Sequence, residues 1–466
     1  MGAVGEDFWV VAYDGRIRGT RLEKLTQPAS YIVYREGDVY KAKSGRTGRV
    51  EFEDTDAGRV IQSCIDSLPA GGRVYVKTGK YYAYTPITLR PTITVEGEMS
   101  SHYEQRGTVI FKCFDGGFLF DTDPSVSNWC ITLRGIYMQP LENRTGGGVR
   151  LRAAWFSRIE KCFIYYFQSD GAVIETVPGK PNWNNEINGC YFFMVKERAI
   201  VIDATDNRVR NTYVDCVYGN PGSYAVVINR DDTEVRGCHI MAGGVTHNTL
   251  VSGILITSNS NFNRIVSNFI DNLDRGIVVE GSGNVIMGNF FYLSRKELLV
   301  LKGHRNTVTG NTFYLSSKEA SGYPDILISG GRRNVILGNT FTFGSTNSHP
   351  AVKEEGDADY NLLAHNTIDP DYPAPAVTTV GANTVIKGNV GFRTENSGTA
   401  TIPAGSTYVD VTHGLSITPR PERIRVVPLD NLGGRSFWVS NVTSTGFRIN
   451  ISSADTVDHS FGWSYE

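Results

Sequence analysis

At the ends of short aliphatic runs, this chain places one polar or charged side chain per repeat: Arg152, Glu175, Asp203, Asn229, Thr257, Glu280, Lys302 and Ser329. If those runs stack as parallel strands, residues one repeat apart come within about 5 Å. Glu175 and Asp203 then form a carboxylate pair at the spacing a retaining glycosidase uses for nucleophile and acid/base. Crowding would raise one pKa, as a proton donor requires. Glu280 extends the acidic set, while Arg152, Lys302 and Asn229 offer charge and hydrogen bonds to a substrate. The same column also spells surface ion pairs, Arg152 with Glu175 and Glu280 with Lys302, which solenoids carry without any chemistry.

Two turns add to this set. Asp206 follows Asp203 closely and could join the pair in a Ca²⁺ site; no other cofactor is required. The turn 178–185 holds Trp183 between Asn182 and Asn184, with Glu186 just beyond. An exposed indole beside amides can stack a sugar ring and bind its hydroxyls, or it can pack on its own loop.

What would position these residues is an eight-residue pattern with a polar start, an aliphatic residue at +2, usually Asn at +5 and an apolar residue at +7. Copies begin at Ser157, Asn185, Asn207, Thr233, Asn263, Asn284, Asn306, Asn334, Asn361 and Thr384. The +2 column is aliphatic in every copy, from Ile159 and Ile187 to Leu363 and Ile386. The +7 column runs from Ile164 and Phe192 to Phe341 and Ile368, and fails at Gly391. Both columns should point inward on stacked coils of a parallel solenoid. At +5 stand Asn268, Asn289, Asn311, Asn339, Asn366 and Asn389, preceded in earlier copies by Cys162, Cys190, Thr212 and Cys238. A turn that needs φ > 0 accounts for Asn there, and stacked amides can bond from coil to coil. A Cys162–Cys190 bridge between adjacent coils is geometrically allowed.

Each coil carries a second strand before the pattern, such as Ala172-Glu175 or Ile200-Asp203. Alternation turns Val173, Val201, Val227, Leu255, Val278, Val300 and Leu327 outward as one stripe. Burying seven such side chains gives an upper bound of about 10–20 kcal/mol, enough to drive oligomerisation. Three solenoids around a common axis is the expected arrangement, with the stripe as floor of a ligand groove the alternative.

A solenoid needs capped ends. Behind Thr55 or Asp56, the spacing of Val60, Ile61, Cys64, Ile65 and Leu68 predicts a helix over the open end, and Gly71–Tyr81 reads as the first coil. Tyr31–Tyr34 and Val39–Ala42 read as a hairpin. From about Ser397, period-2 alternation predicts a small antiparallel sandwich of five or six strands. Its last strand, Phe461-Gly-Trp463-Ser-Tyr465, is suited to a core, an interface or a sugar platform. The domains expected are therefore residues 1–54, 55–395 and 396–466.

A formal net charge of -2 gives no pull toward nucleic acid or anionic membrane. No apolar run reaches the roughly 20 residues that span a bilayer, and the first residues lack a secretory pattern. Seven cysteines without CxxC spacing indicate neither zinc nor a disulfide framework.

With capping helix, Gly-Gly first strand and Asn-rich coils in order, residues 55–390 resemble the pectate-lyase-like right-handed parallel β-helix superfamily, phage tailspike depolymerases included. The tail, through Thr412-His-Gly-Leu415 and Trp438-Val439, resembles the small, often trimeric, lectin-like β-domains that end viral tail proteins. The resemblance implies an all-β fold and a polysaccharide-active protein, hydrolase or lyase, acting on a cell-surface or extracellular glycan. It also implies a homotrimer at an extracellular or virion surface. A non-catalytic adhesive fibre is the alternative. Polygalacturonase motifs do not carry over: Asp231-Asp232 and Gly303-His304 fall in turns and the remaining elements are absent.

Overall fold

The structure, a computed structural model, describes residues 28–465 apart from 102–105, 216–221, 242–250, 319, 346 and 374, together with the strand pair Val10–Val11 and Ile17–Arg18. Much of the expected N-terminal arm, and Cys216, lie outside the described residues. The chain divides into two compact units, Met1–Ser282 and Gly283–Glu466. The same coil recurs in both, and it is that of a right-handed parallel β-helix.

One coil of the first unit shows the plan. Strand Ala172–Glu175 leads through a turn to Glu186–Asn188, then through a tight turn to Tyr191–Phe193, before Ile200–Asp203 opens the next coil. Each strand pairs in parallel with its equivalents, so Ile187 lies between Ile159 and Val209, and Phe192 between Ile164 and Val214. In the second unit Ile286, Val308, Ile336, Leu363 and Ile386 form the corresponding file. There Phe291, Phe313 and Phe341 stack with ring centroids 4.7 and 5.0 Å apart. Side chains of both columns are almost wholly buried through Leu363 and Ile368.

The Asn column works differently from its sequence-based explanation. The left-handed residue of the tight turn is the one before it, at +4: Gly288, Gly310, Gly338 and His365 have φ of 63, 63, 63 and 53°. The Asn at +5 instead turns inward and serves the backbone. Asn311 Oδ1 accepts the Asn289 N–H at 2.9 Å, and its Nδ2 donates to Ile286 O at 2.9 Å. Asn339, Asn366 and Asn389 repeat the scheme, each donating to the +2 carbonyl of the preceding coil. The cysteines in this column fill the same role more weakly, Cys190 Sγ meeting Ile159 O at 3.4 Å and Cys238 Sγ meeting Val209 O at 3.6 Å. They are free thiols, and burial pushes Cys190 well above the ordinary thiol pKa. A second ladder runs at the pattern's polar start, where Asn207 Oδ1 accepts from Asn185 N and Asn306 Oδ1 from Asn284 N.

The outward stripe is a correction. Val173, Val201, Val227 and Val278 keep only 2–8 % of their surface within the single chain, as Val300 does in the second unit, while Leu255 and Leu327 are partly exposed. In-register parallel strands set each branched side chain directly against its equivalents above and below, so the stripe shields itself. Little apolar area is left there to drive association, and the seam inferred from it lapses.

The helix spans Ala57–Asp66, capped by Asp56, whose Oδ1 accepts the Gly58 N–H at 2.8 Å; Val60, Ile61, Cys64 and Ile65 are buried. Tyr31–Glu36 and Val39–Ser44 form the hairpin, and Gly72–Val76 adds the first coil in parallel to it. The tail folds as two three-stranded antiparallel sheets around Ile402, Phe447, Ile449, Phe461 and Trp463. Phe461, Trp463 and Tyr465 are thus core and interior-edge residues rather than a sugar platform.

Loops of the second unit enclose a charged cluster that the sequence did not announce. Asp325 and His349 are buried, with His349 Nε2 3.7 Å from Asp325 Oδ1 and Nδ1 2.8 Å from Asn347 O. The Tyr372 hydroxyl donates to Asp325 Oδ2, and Phe343 packs on both rings. Burial pulls the His349 pKa down, but Asp325 and the Asn347 carbonyl outweigh it, leaving it raised above the ordinary 6.5.

Two outcomes are expected. Asn311→Ala removes the donor to Ile286 O and strands the Asn289 N–H, and should cost about 2–4 kcal/mol in denaturant unfolding, against less than half that for Asn389→Ala at the ladder's end. His349 is protonated more readily folded than unfolded, so its contribution is complete below about pH 6.5 and disappears as pH rises through the folded-state pKa. The melting-temperature gap between the parent and His349→Gln should therefore be wide at pH 6 and narrow at pH 9.

Candidate functional site on the aromatic face

The strands carrying the +7 column bury that residue and turn +6 and +8 outward. In the first unit these positions are almost all aromatic or acidic. The +6 file reads Phe163, Tyr191, Tyr213, His239, Phe269, and the +8 file Tyr165, Phe193, Asp215, Met241, Asp271. Parallel pairing places each a rung from the next, so the rings form a continuous carpet: Tyr191 to Tyr213 is 4.8 Å, Tyr213 to His239 is 4.6 Å and His239 to Phe269 is 4.7 Å. His239 meets both neighbours near edge-on, at 76 and 82°.

One carboxylate of the carpet faces that imidazole. His239 Nε2 lies 3.6 Å from Asp271 Oδ2, with the side chains 31 and 15 % exposed. Neither His239 Nε2 nor Asp271 Oδ1 has a hydrogen-bond partner among the described residues, although both are shut from solvent. Asp215 accepts the Tyr191 hydroxyl at 3.3 Å, and the Tyr213 hydroxyl meets Met241 Sδ at 3.0 Å. Asp215 and Asp271 sit two rungs apart across Met241, a backbone separation of about 10 Å. Enclosed, incompletely bonded acid and base groups amid rings are a candidate site on physical grounds. Reading +6 and +8 as columns, as was done for +2 and +7, would have found it.

The column singled out from the sequence is assembled as expected in register, Arg152 beside Glu175 and Glu175 beside Asp203. Its charges are engaged differently. Arg152 forks onto Asp121, at 3.1 and 2.8 Å, instead of pairing with Glu175; Arg150 also binds Asp121 and comes within 3.9 Å of Glu175. Asp203 accepts from Arg230 Nε at 3.0 Å. The Asn229 backbone N–H donates to Ile202 O, and that of Glu280 to Ile256 O. Glu280 belongs to the first unit, Lys302 to the second.

Burial first, then the neighbouring carboxylates of Asp206 and Asp231, raise the pKa of Asp232. Asp206 and Asp232 are left-handed turn residues of their coils, with φ of 55 and 60°. Among the described residues no three His, Cys, Asp or Glu side chains are grouped to hold a metal ion. Trp183 is 41 % exposed and stacks on Trp155 at 6.2 Å, which stacks on Trp129 at 5.5 Å. Asn182 is buried, bonded to Glu175 O and Asn185 Nδ2, and Asn184 holds the turn at φ 54°. The amides flanking Trp183 therefore build the loop.

A family described as periplasmic copper-binding protein (NosD) matches residues 184–390. No curated protein matches the chain. Among solved structures, the A-module of the Azotobacter vinelandii mannuronan C-5 epimerase AlgE6 is similar over 72 % of this chain and 95 % of its own, at 16 % identity and a TM-score of 0.60. The tailspike protein of E. coli bacteriophage HK620, solved with a pentasaccharide, is similar over 88 % of this chain and 90 % of its own, at 12 % identity and a TM-score of 0.55. At such identities the likeness is one of fold alone, that of the right-handed parallel β-helix.

Proposed function

We propose that this chain binds a polysaccharide along the aromatic face of its first unit and hydrolyses it there. The observation that carries the reading is His239, wedged between Tyr213 and Phe269 and facing the enclosed carboxylate of Asp271. Rings one rung apart offer successive sugars an amphipathic surface. Asp271, with His239 at one oxygen, is positioned to deliver a proton to a departing glycosidic oxygen. Asp215, about 10 Å away along the backbone files, would direct water at the opposite face of the sugar. Such spacing leaves room for water between the carboxyls, as inversion requires. Similarity of fold to a tailspike solved with a pentasaccharide and to a mannuronan epimerase module supports the substrate class. A glycan substrate would put the working site outside a cell, as on a virion surface, and a homotrimer assembled through the tail belongs to the same proposal.

The test is turnover of a panel of bacterial surface polysaccharides and alginate, read as reducing ends and as unsaturated ends by absorbance. Asp271→Asn and Asp215→Asn should each lower kcat by roughly 10³-fold with binding retained. His239→Gln should fall less, and Glu175→Gln with Asp203→Asn should stay within a few-fold of the parent. Loss confined to the Glu175 and Asp203 variants would overturn the assignment in favour of that pair. Unsaturated products would replace hydrolysis with elimination. Binding without product from any glycan would select the adhesive fibre.

A further inference from the structure

The tail sandwich exposes one face that the core does not explain. In strand Gly446–Ile451, Phe447, Ile449 and Ile451 are buried, so Arg448 and Asn450 look the other way. Across the sheet, Asn450 pairs with Tyr408 on one side and Trp438 on the other; Arg448 pairs with Asp410 and Ser440. The outer surface is therefore two rows: Tyr408, Asn450, Trp438, and behind them Asp410, Arg448, Ser440.

Both rings are about half open, Tyr408 at 45 % and Trp438 at 48 %. Exposing two large aromatics in one row of a small domain forgoes burial free energy that a purely structural sheet would keep. The polar groups between them are held in place. Asn450 Nδ2 donates to Ser440 Oγ at 2.9 Å and Trp438 O at 3.2 Å. Arg448 forks onto Asp410 at 2.7 and 3.0 Å and lies 3.7 Å over the Tyr408 ring centre. Its charge is thus neutralised locally, and Arg448 with Tyr408 makes one flat surface facing Trp438 across a single strand, about 10 Å away. The opposite sheet has a different exterior: Thr399, Thr401, Gly462 and Ser464 are small, beside exposed Arg425, Val427 and Leu429. That flatter surface suits close packing against another copy; the ring-and-amide face does not.

We propose that the face formed by Tyr408, Asn450 and Trp438 is a carbohydrate-binding site, separate from the aromatic face of the β-helix, and that it takes a neutral oligosaccharide of two or more residues. Two platforms one strand apart match stacked pyranose rings, and a paired guanidinium, a carboxylate and an amide match neutral hydroxyls better than they match an anion.

The experiment is affinity electrophoresis of the full chain in gels containing dextran, xylan, mixed-linkage β-glucan, galactomannan or alginate, with sedimentation of every variant. At least one neutral polysaccharide should retard the parent. Trp438→Ala and Tyr408→Ala should each weaken that retardation roughly tenfold or more, Trp438→Phe should keep most of it, and Val427→Ser with Leu429→Ser should leave it intact. Retardation by none of the gels, or by alginate alone, would overturn the proposal, as would equal retardation of a Tyr408→Ala, Trp438→Ala double variant. Dissociation of an oligomer by that double variant would assign the face to a second copy of the chain instead. The ring carpet of the β-helix is left intact in every one of these variants, so a loss of retardation reports on the tail face alone.

Discussion

Coils of different loop length can stack only if every turn disposes of its backbone polar groups in the same way, and the inward amides do this. At the tight turns that carry Asn, a side-chain oxygen accepts the N–H of the coil before it, and the side-chain nitrogen returns to a carbonyl one coil back, as Asn311 does for Asn289 and Ile286. Buried N–H and C=O groups left unmade would cost more than any single apolar contact in the coil contributes. Register follows, because an amide that bonds its equivalent above and below cannot slip by one residue without losing both partners. All outward geometry inherits that register, from the paired Glu175 and Asp203 to the ring carpet around His239.

The substitution pattern of the ladder is informative for the same reason. Cysteine at 162, 190 and 238 keeps a small inward donor pointed at the same carbonyls, although a weaker one. The first unit thus carries a ladder of mixed strength and the second a nearly uniform one of Asn. The left-handed position before it accepts Gly, Asn, Ser, Lys and His alike, since its side chain faces solvent and only its backbone angle matters.

Most of the fold was legible in the sequence because period and column identity are one-dimensional properties: Ile159 through Ile386 could be aligned without knowing a single loop. The capping helix and the tail strands were legible through ordinary helical and alternating spacing. Three things were not. Whether Val173 to Val278 would lie open depended on how tightly stacked branched side chains close over one another. Where the charges of Arg152 and Asp203 go depended on Asp121 and Arg230, neither of which belongs to their column. The His239 site escaped because attention to buried columns passes over the positions on either side, and the Asp325, His349 and Tyr372 cluster because its members sit in loops of unrelated length.

The three stacked indoles at Trp129, Trp155 and Trp183 have a use that owes nothing to ligands. Chromophores held 5.5 and 6.2 Å apart at small interplanar angles exchange excitation, so their circular dichroism in the aromatic ultraviolet depends on the coils being stacked. The turn that carries them is in effect an optical gauge built into the first unit, able to report on three neighbouring coils without any label.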